Sequence, residues 1–179
     1  MELINEESIK HLAARRVAEK MLIAARTAPK ARGRDYLVMA IAEKDLIKKI
    51  SDKMIEMNSV MEFPDFFTRD AKSILLAEIL VLIGTRIKVF NLNPCGLCGF
   101  ANCEEKEKYP LVPCVFNTGD LGIAIGSAVS VATDERVDNR IMFSVGKAVI
   151  EMKLLGDDVK IAYGIPLSVS SKNPFFDRK

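Results

Sequence analysis

Four cysteines fall within twenty positions as Cys95-x2-Cys98-x4-Cys103-x10-Cys114, and this block constrains the chain more than any other feature. Thiols packed so closely in one intracellular chain point to a loop wrapped round a metal group. A reducing cytosol does not sustain disulfides in such a block. Structural zinc sites most often use two pairs of closely spaced cysteines. Three close cysteines followed by a remote fourth is instead the way a chain wraps a [4Fe–4S] cubane. Gly96 and Gly99 follow the first two cysteines. Glycine permits positive φ, which can turn backbone N–H groups toward sulfide. Pro94 and Pro113 stand directly before two of the cysteines and stiffen those approaches. The expected ligands are Cys95, Cys98, Cys103 and Cys114, and the expected group is a [4Fe–4S] cluster. A zinc knuckle, or a set of unligated buried thiols, is the alternative.

The remainder must build a core without disulfides. At 179 residues, with 49% hydrophobic and 28% charged side chains, the chain suits one soluble domain over 1–179 carrying a Cys-rich insert over 85–118. A net charge of +2 argues against a nucleic-acid protein built on bulk charge. His11 is the lone histidine, which excludes His-rich zinc sites and HExxH chemistry. It falls one position off an apolar stripe and reads as a boundary residue. The acidic start lacks a basic leader region, and the apolar stretch over 121–133 is too short to span a bilayer. These features predict a cytoplasmic protein without a membrane partner.

Periodicity predicts a first helix over 6–28, capped by Asn5, with Ile9, Leu12, Ala13, Val17, Met21, Ala24, Ala25 and Ala28 inward. A buried strand follows over 36–41. A helix over 45–57 turns Leu46, Ile47, Ile50, Met54 and Ile55 inward. The aromatic loop Phe63-Pro64-Asp65-Phe66-Phe67 leads to a helix over 68–76 and a strand over 79–83 that Gly84 ends. Beyond the insert, the helix over 119–133 carries Gly122, Gly126 and Ser130 at four-residue spacing on one face. Being apolar all round, it is expected to be buried, either in the core or as a dimer axis. Asp138 or Asn139 is expected to cap a helix reaching Leu155, before a strand over 159–165 and an irregular tail. The predicted class is α+β in an αβα arrangement, a small sheet flanked by long helices. No Walker A or GxGxxG phosphate loop is present.

Three resemblances follow from these residues. The Cys-Gly-x-Cys-Gly-x3-Cys run of Cys95 to Cys103 is similar to the small iron–sulfur domain of the corrinoid iron–sulfur protein and of the B subunit of the Rnf electron-transport complex. In those families four cysteines hold a [4Fe–4S] cluster. The element order resembles the FMN-dependent nitroreductase fold. There the segment from Ala25 to Gly33 is similar to the one that ends the first long helix along the flavin, and Tyr163-Gly164-Ile165-Pro166 resembles a late Gly-aromatic-Pro stretch. The resemblance implies FMN, a phosphate contact from the basic tail at Arg178, and a homodimer built on the central helix. The chain as a whole resembles an uncharacterised family, found mostly in anaerobic archaea and bacteria and described as containing a ferredoxin domain. That likeness implies an iron–sulfur protein and no assigned reaction.

Arg26, Lys30, Arg32 and Arg34 place four cations within nine residues. Arg26, Lys30 and Arg32 are candidates to hold a flavin phosphate, as guanidinium groups do well; a solvated basic loop is the equal alternative. The sequence thus predicts an iron–sulfur redox protein, acting in electron transfer with a partner protein or in flavin-linked oxidoreduction. The alternative is a non-enzymatic dimeric binding module whose cysteines hold a structural metal. Whether the protein is an enzyme stays open at this point, as does the substrate.

Overall fold

A computed structural model describes residues 3–61 and 64–176. Phe63 of the aromatic loop and Arg178 of the basic tail lie outside the described residues.

The first helix, α1, spans Glu6–Thr27, and Asn5 Oδ1 accepts the Glu7 N–H at 3.1 Å as its N-cap. Strand β1 spans Leu37–Ala42, α2 Lys44–Met61, α3 Phe66–Ile74 and β2 Ile79–Arg86. After the cysteine segment come α4 (Cys103–Glu107), α5 (Val115–Asp134), β3 (Asp138–Asn139), α6 (Phe143–Glu151) and β4 (Val159–Ser168). The strands form an antiparallel sheet in the order β1-β2-β4-β3.

Strand β2 shows why the fold has three layers. Leu80 and Leu82 point to one face, into a core built with α2, α3 and α6. Ile79, Val81 and Ile83 point to the other, into a core built with α1 and α5. A strand covered on both faces reads as a continuous apolar run rather than an alternation. The αβα arrangement expected from sequence is the one found.

Several element boundaries differ. Gly84 does not end β2, which runs on to Arg86. A Cβ there would meet Val159 Cγ1 at 2.7 Å and the Ile161 carbonyl at 2.9 Å, so glycine serves close strand packing. Helix α3 starts earlier than expected, and Leu75 and Leu76 beyond it are exposed. Asp138 and Asn139 cap no helix: they pair with Ser168 and Leu167 as β3. Helix α6 starts at Phe143 and stops at Glu151, short of Leu155. Pro166, Leu167 and Ser168 belong to β4 and are buried, so the irregular tail starts later.

The inward face of α1 is also rotated from the expected one. Ile9, Leu12 and Ala13 are exposed, while Ala14, Val17, Ala18, Met21 and Ala25 are buried. The reason is the partner helix. Helix α5 presents Ala124, Ala128 and Ala132 at four-residue spacing to the same core. Alanines on both helices allow close backbone approach, which the larger Ile9 and Leu12 would prevent. Consequently the other small face of α5, with Gly122, Gly126 and Ser130, is exposed in this chain rather than buried. Ile55 of α2 is likewise exposed.

Helix α5 extends the apolar stretch of 121–133 to twenty residues, and by length and composition it could cross a membrane. Its inner face instead buries Asn117 and Asp120 and packs on α1, as the core helix of a folded domain does.

Candidate metal centre

The cysteine segment, 87–114, is a loop with one short helix between β2 and α5. Two devices fold it locally. Gly96 and Gly99 adopt φ values of 74° and 86°, the left-handed region that only glycine enters freely, and the Gly99 N–H donates to the Gly96 carbonyl at 3.0 Å. Asn102 then caps α4: its Oδ1 accepts the Glu105 N–H at 2.8 Å, while Glu105 Oε2 accepts the Ala101 N–H at 2.8 Å. Cys103 is thereby fixed as the first residue of α4. Phe100 stacks on Tyr109 with ring centroids 5.2 Å apart, closing the loop on itself. Cys95 and Cys103 line a cavity of about 440 Å³ with Asn93, Pro94 and Asn102.

Cys114 is the N-cap of α5. Its sulfur accepts the Asn117 backbone N–H, and Asn117 Oδ1 accepts the Cys114 N–H at 3.2 Å and the Lys88 N–H at 3.1 Å. The positive end of a twenty-residue helix thus faces this thiol. Cys114 is 4% exposed, and the other three cysteines are half-buried. Burial pushes the Cys114 thiol up. The Phe116 N–H acts against this, and Cys98, Cys103 and Cys95 add to the rise as like charges.

No three His, Cys, Asp or Glu side chains among the described residues stand close enough to hold a metal ion as they are. A tetrahedral zinc with bonds of about 2.3 Å would draw its sulfurs to within about 4 Å of one another. A four-iron cluster is a larger body whose thiolates stand further apart. An all-thiol donor set has the chemistry that soft metal centres take, a zinc ion or an iron–sulfur cluster alike.

The basic segment takes a different form from an open anion site. Lys30 Nζ donates to the Ala25, Arg26 and Ala28 carbonyls at 2.7–2.8 Å, and its side chain is 5% exposed. It satisfies the end of α1, where a cation is favoured. Arg26 pairs with Asp35 at 2.6 Å. Burial works to raise the Asp35 carboxyl, but the Leu37 N–H, Arg26 and Lys30 together hold it below its ordinary value. Arg32, at φ 55°, donates to the Phe90 and Asn91 carbonyls at 2.8 and 3.0 Å and so ties the turn after α1 to the start of the cysteine segment. Replacing Lys30 by methionine is expected to destabilise the fold by about 1–3 kcal/mol, because three carbonyls lose a charged donor. Urea unfolding of the variant checks this.

Two site residues were not anticipated from sequence. Asp120 on α5 accepts the Ala31 N–H with both carboxylate oxygens at 3.1 Å, fixing the same turn from below. Burial raises its carboxyl, with the Ala31 N–H and Lys30 acting in opposition. Asn117 was legible in principle, since a capping box pairs the N-cap with the third helical residue. His11 is a boundary residue as expected, 2.9 Å from Glu43. Tyr163 lines an apolar groove of about 330 Å³ with Gly122, Gly126, Ile141 and Ile161, alongside the exposed face of α5.

Residues 112–178 match the signature of a family described as "Uncharacterized protein containing a ferredoxin domain (DUF2148)". That match includes Cys114 but not the first three cysteines. An uncharacterised protein of Archaeoglobus fulgidus is 35% identical over 184 residues, covering 98% of this chain and 97% of the relative. Among solved structures, a nitroreductase with bound FMN from Desulfitobacterium hafniense superposes with a TM-score of 0.59 at 16% identity, over 96% of this chain and 81% of that one. A nitroreductase family protein from Clostridium novyi gives 0.58 at 14% identity, over 94% and 77%. A BluB-like flavoprotein from Clostridium difficile gives 0.57 at 20% identity, over 96% and 84%. Likenesses at these identities establish a nitroreductase-type fold.

Proposed function

The chain belongs to the family of uncharacterised proteins containing a ferredoxin domain, and from that premise we propose that it is an iron–sulfur redox protein working by electron transfer. Cys95, Cys98, Cys103 and Cys114 hold the cluster, of the [4Fe–4S] type. One observation carries the reading: Cys114, 4% exposed at the N-terminus of α5, ends a segment whose Cys95 and Cys103 line one cavity. Crowded thiolates in a half-buried loop need a cationic core to neutralise them. A cluster bound there would supply one-electron exchange, at a potential set by its surroundings. The chain's part is to hold the four sulfurs, exclude water from Cys114, and offset anionic charge with the positive end of α5. Leu97 and Leu111 are exposed on the same segment and offer apolar contact to a redox partner protein. The test is anaerobic reduction with dithionite. A brown absorbance that bleaches and returns on reoxidation supports the reading. A colourless, redox-silent protein supports a metal-stapled binding module instead.

A second reading, flavin-linked oxidoreduction, is favoured by the groove beside Tyr163 and by the FMN-bound neighbour of like fold. FMN would lie near the groove and turn one-electron traffic into two-electron chemistry. Arg26, Lys30 and Arg32 are each engaged by acceptors of this chain, so phosphate binding by them requires rearrangement. Quenching of FMN fluorescence on titration with the protein tests this reading.

The exposed face of α5, with Gly122, Gly126 and Ile123, would pack on a second copy to form a homodimer. Placing a charge there as Gly126→Glu is expected to convert the dimer to monomer, a halving of mass by light scattering. A wild-type monomer would remove the proposal.

A further inference from the structure

Strand β1 stands at the edge of the sheet and pairs with β2 alone. Along an antiparallel ladder, backbone groups turn alternately toward the neighbour and away from it. The Arg86 N–H donates to the Tyr36 carbonyl at 3.1 Å, so Val38, Ala40 and Ala42 also face β2. Leu37, Met39 and Ile41 turn their N–H and C=O groups to the open side. Leu37 is already served there: its N–H donates to Asp35 Oδ1 at 2.9 Å, and its carbonyl accepts from Arg26 Nη1 at 3.4 Å. Met39 and Ile41 have no backbone partner on that side among the described residues. Edge strands are usually guarded by charge, proline or a bulge. The sequence of β1 is Leu-Val-Met-Ala-Ile-Ala, its register with β2 is unbroken, and Val38 to Ile41 are half-buried.

We infer that β1 pairs antiparallel with β1 of a second copy, about a two-fold axis at Ala40, and joins the two sheets into one. The register follows from the two open positions. With Ala40 opposite itself, Met39 meets Ile41 of the second copy, and each such pair exchanges both of its hydrogen bonds. Charge matches the same register. Arg26 reaches the open side level with Leu37, and Leu37 there faces Glu43 of the second copy. Both side chains lie on the α1 side, since Arg26 belongs to α1 and Glu43 contacts His11 and Arg15 of that helix. They are 50% and 45% exposed, so each can add a second partner. A strand with a cation at one end and a carboxylate at the other suits its own antiparallel copy. A two-fold axis normal to the sheet also sets α1 of both copies on one side. Ile23, 64% exposed, lines a groove of about 280 Å³ with Leu22, Thr27 and Met39 on that side and would gain cover. This contact is separate from the exposed face of α5 and independent of what the cysteines bind.

The experiment is disulfide trapping in solution, with Ala40→Cys and Val38→Cys each made in wild type and in Gly126→Glu. Residues directly opposed in a non-hydrogen-bonded pair have Cα atoms about 4.5 Å apart, within disulfide range. Ala40 opposes itself in the proposed register. Val38 opposes Ala42 of the second copy and stands about 13 Å or more from the other Val38. Mild oxidation is expected to link Ala40→Cys into a covalent dimer at least tenfold faster than Val38→Cys or the unsubstituted chain, with the bond mapped to position 40 of both copies. The same link should form in Gly126→Glu. Equal rates for the two variants, or no link above the unsubstituted chain, overturn the pairing, and a link lost in Gly126→Glu overturns it as a separate contact. Amide exchange gives a readout on the unaltered chain. The Met39 and Ile41 N–H groups should exchange at least tenfold more slowly in concentrated than in dilute protein, while Val38 and Ala40 stay protected in both. Fast exchange of Met39 and Ile41 at every concentration overturns the inference and leaves this edge to a strand of another protein.

Discussion

Replacing Cys98 by serine is expected to strip the protein of iron and sulfide while leaving its αβα core folded. The two apolar cores, one on each face of the sheet, contain none of the four cysteines. The loop is attached through Arg32, through the Tyr36–Phe90 ring contact and through Asn117, none of which needs Cys98. A hard serine oxygen is a poor replacement for thiolate at soft metal sites. Iron should fall to background, and circular dichroism should change little outside the loop. Cys114→Ser sharpens the test, because serine is a good N-cap and can accept the same Asn117 N–H. That variant should lose the cluster yet keep α5 capped, so its metal-free form should be as stable as metal-free wild type. If Cys98→Ser retains full iron and sulfide, Cys98 is not a ligand.

Gly146→Ala is expected to be the most damaging single-methyl addition in the described chain. Helix α6 lies directly on β4. A Cβ at Gly146 would stand 1.7 Å from the Ala162 carbonyl oxygen and 2.4 Å from its carbon. Those atoms are backbone of β4, which pairs with Gly84 of β2 at this position, so they cannot give way cheaply. The approach is mutual, since a Cβ at Gly164 would meet Val145 at 2.2 Å. Alanine would gain about 1 kcal/mol of helix propensity. Overpacking against backbone costs about 3 kcal/mol or more, so the steric loss wins. A fall in Tm of about 6 °C or more is expected for a domain of this size. An unchanged Tm would mean that α6 sits further from β4 than described.

Much of this was legible in the sequence, for identifiable reasons. Residues 79–83 read as a buried strand because both faces of β2 are covered. Asn5 followed by two glutamates announced the start of α1. The cysteine spacing marked the candidate site because soft ligands are rare and clustered. What stayed hidden depends on contacts between distant segments. Ile9 and Leu12 fit the period of α1, yet the alanine face of α5 selected Ala14 and Ala18 instead. Asp138 and Asn139 looked like helix caps, but β4 offered them a strand partner. Lys30 looked free for a ligand, whereas the carbonyls at the end of α1 take it. Asp120 carried no local signal, because the Ala31 N–H that it binds lies 89 residues away.

We propose that the four cysteines hold an iron–sulfur cluster. Quantifying iron, acid-labile sulfide and zinc in anaerobically purified protein tests it most directly. About four iron and about four sulfide per chain are expected, with negligible zinc. One zinc per chain with neither iron nor sulfide would contradict it and leave a metal-stapled loop on a nitroreductase-type fold.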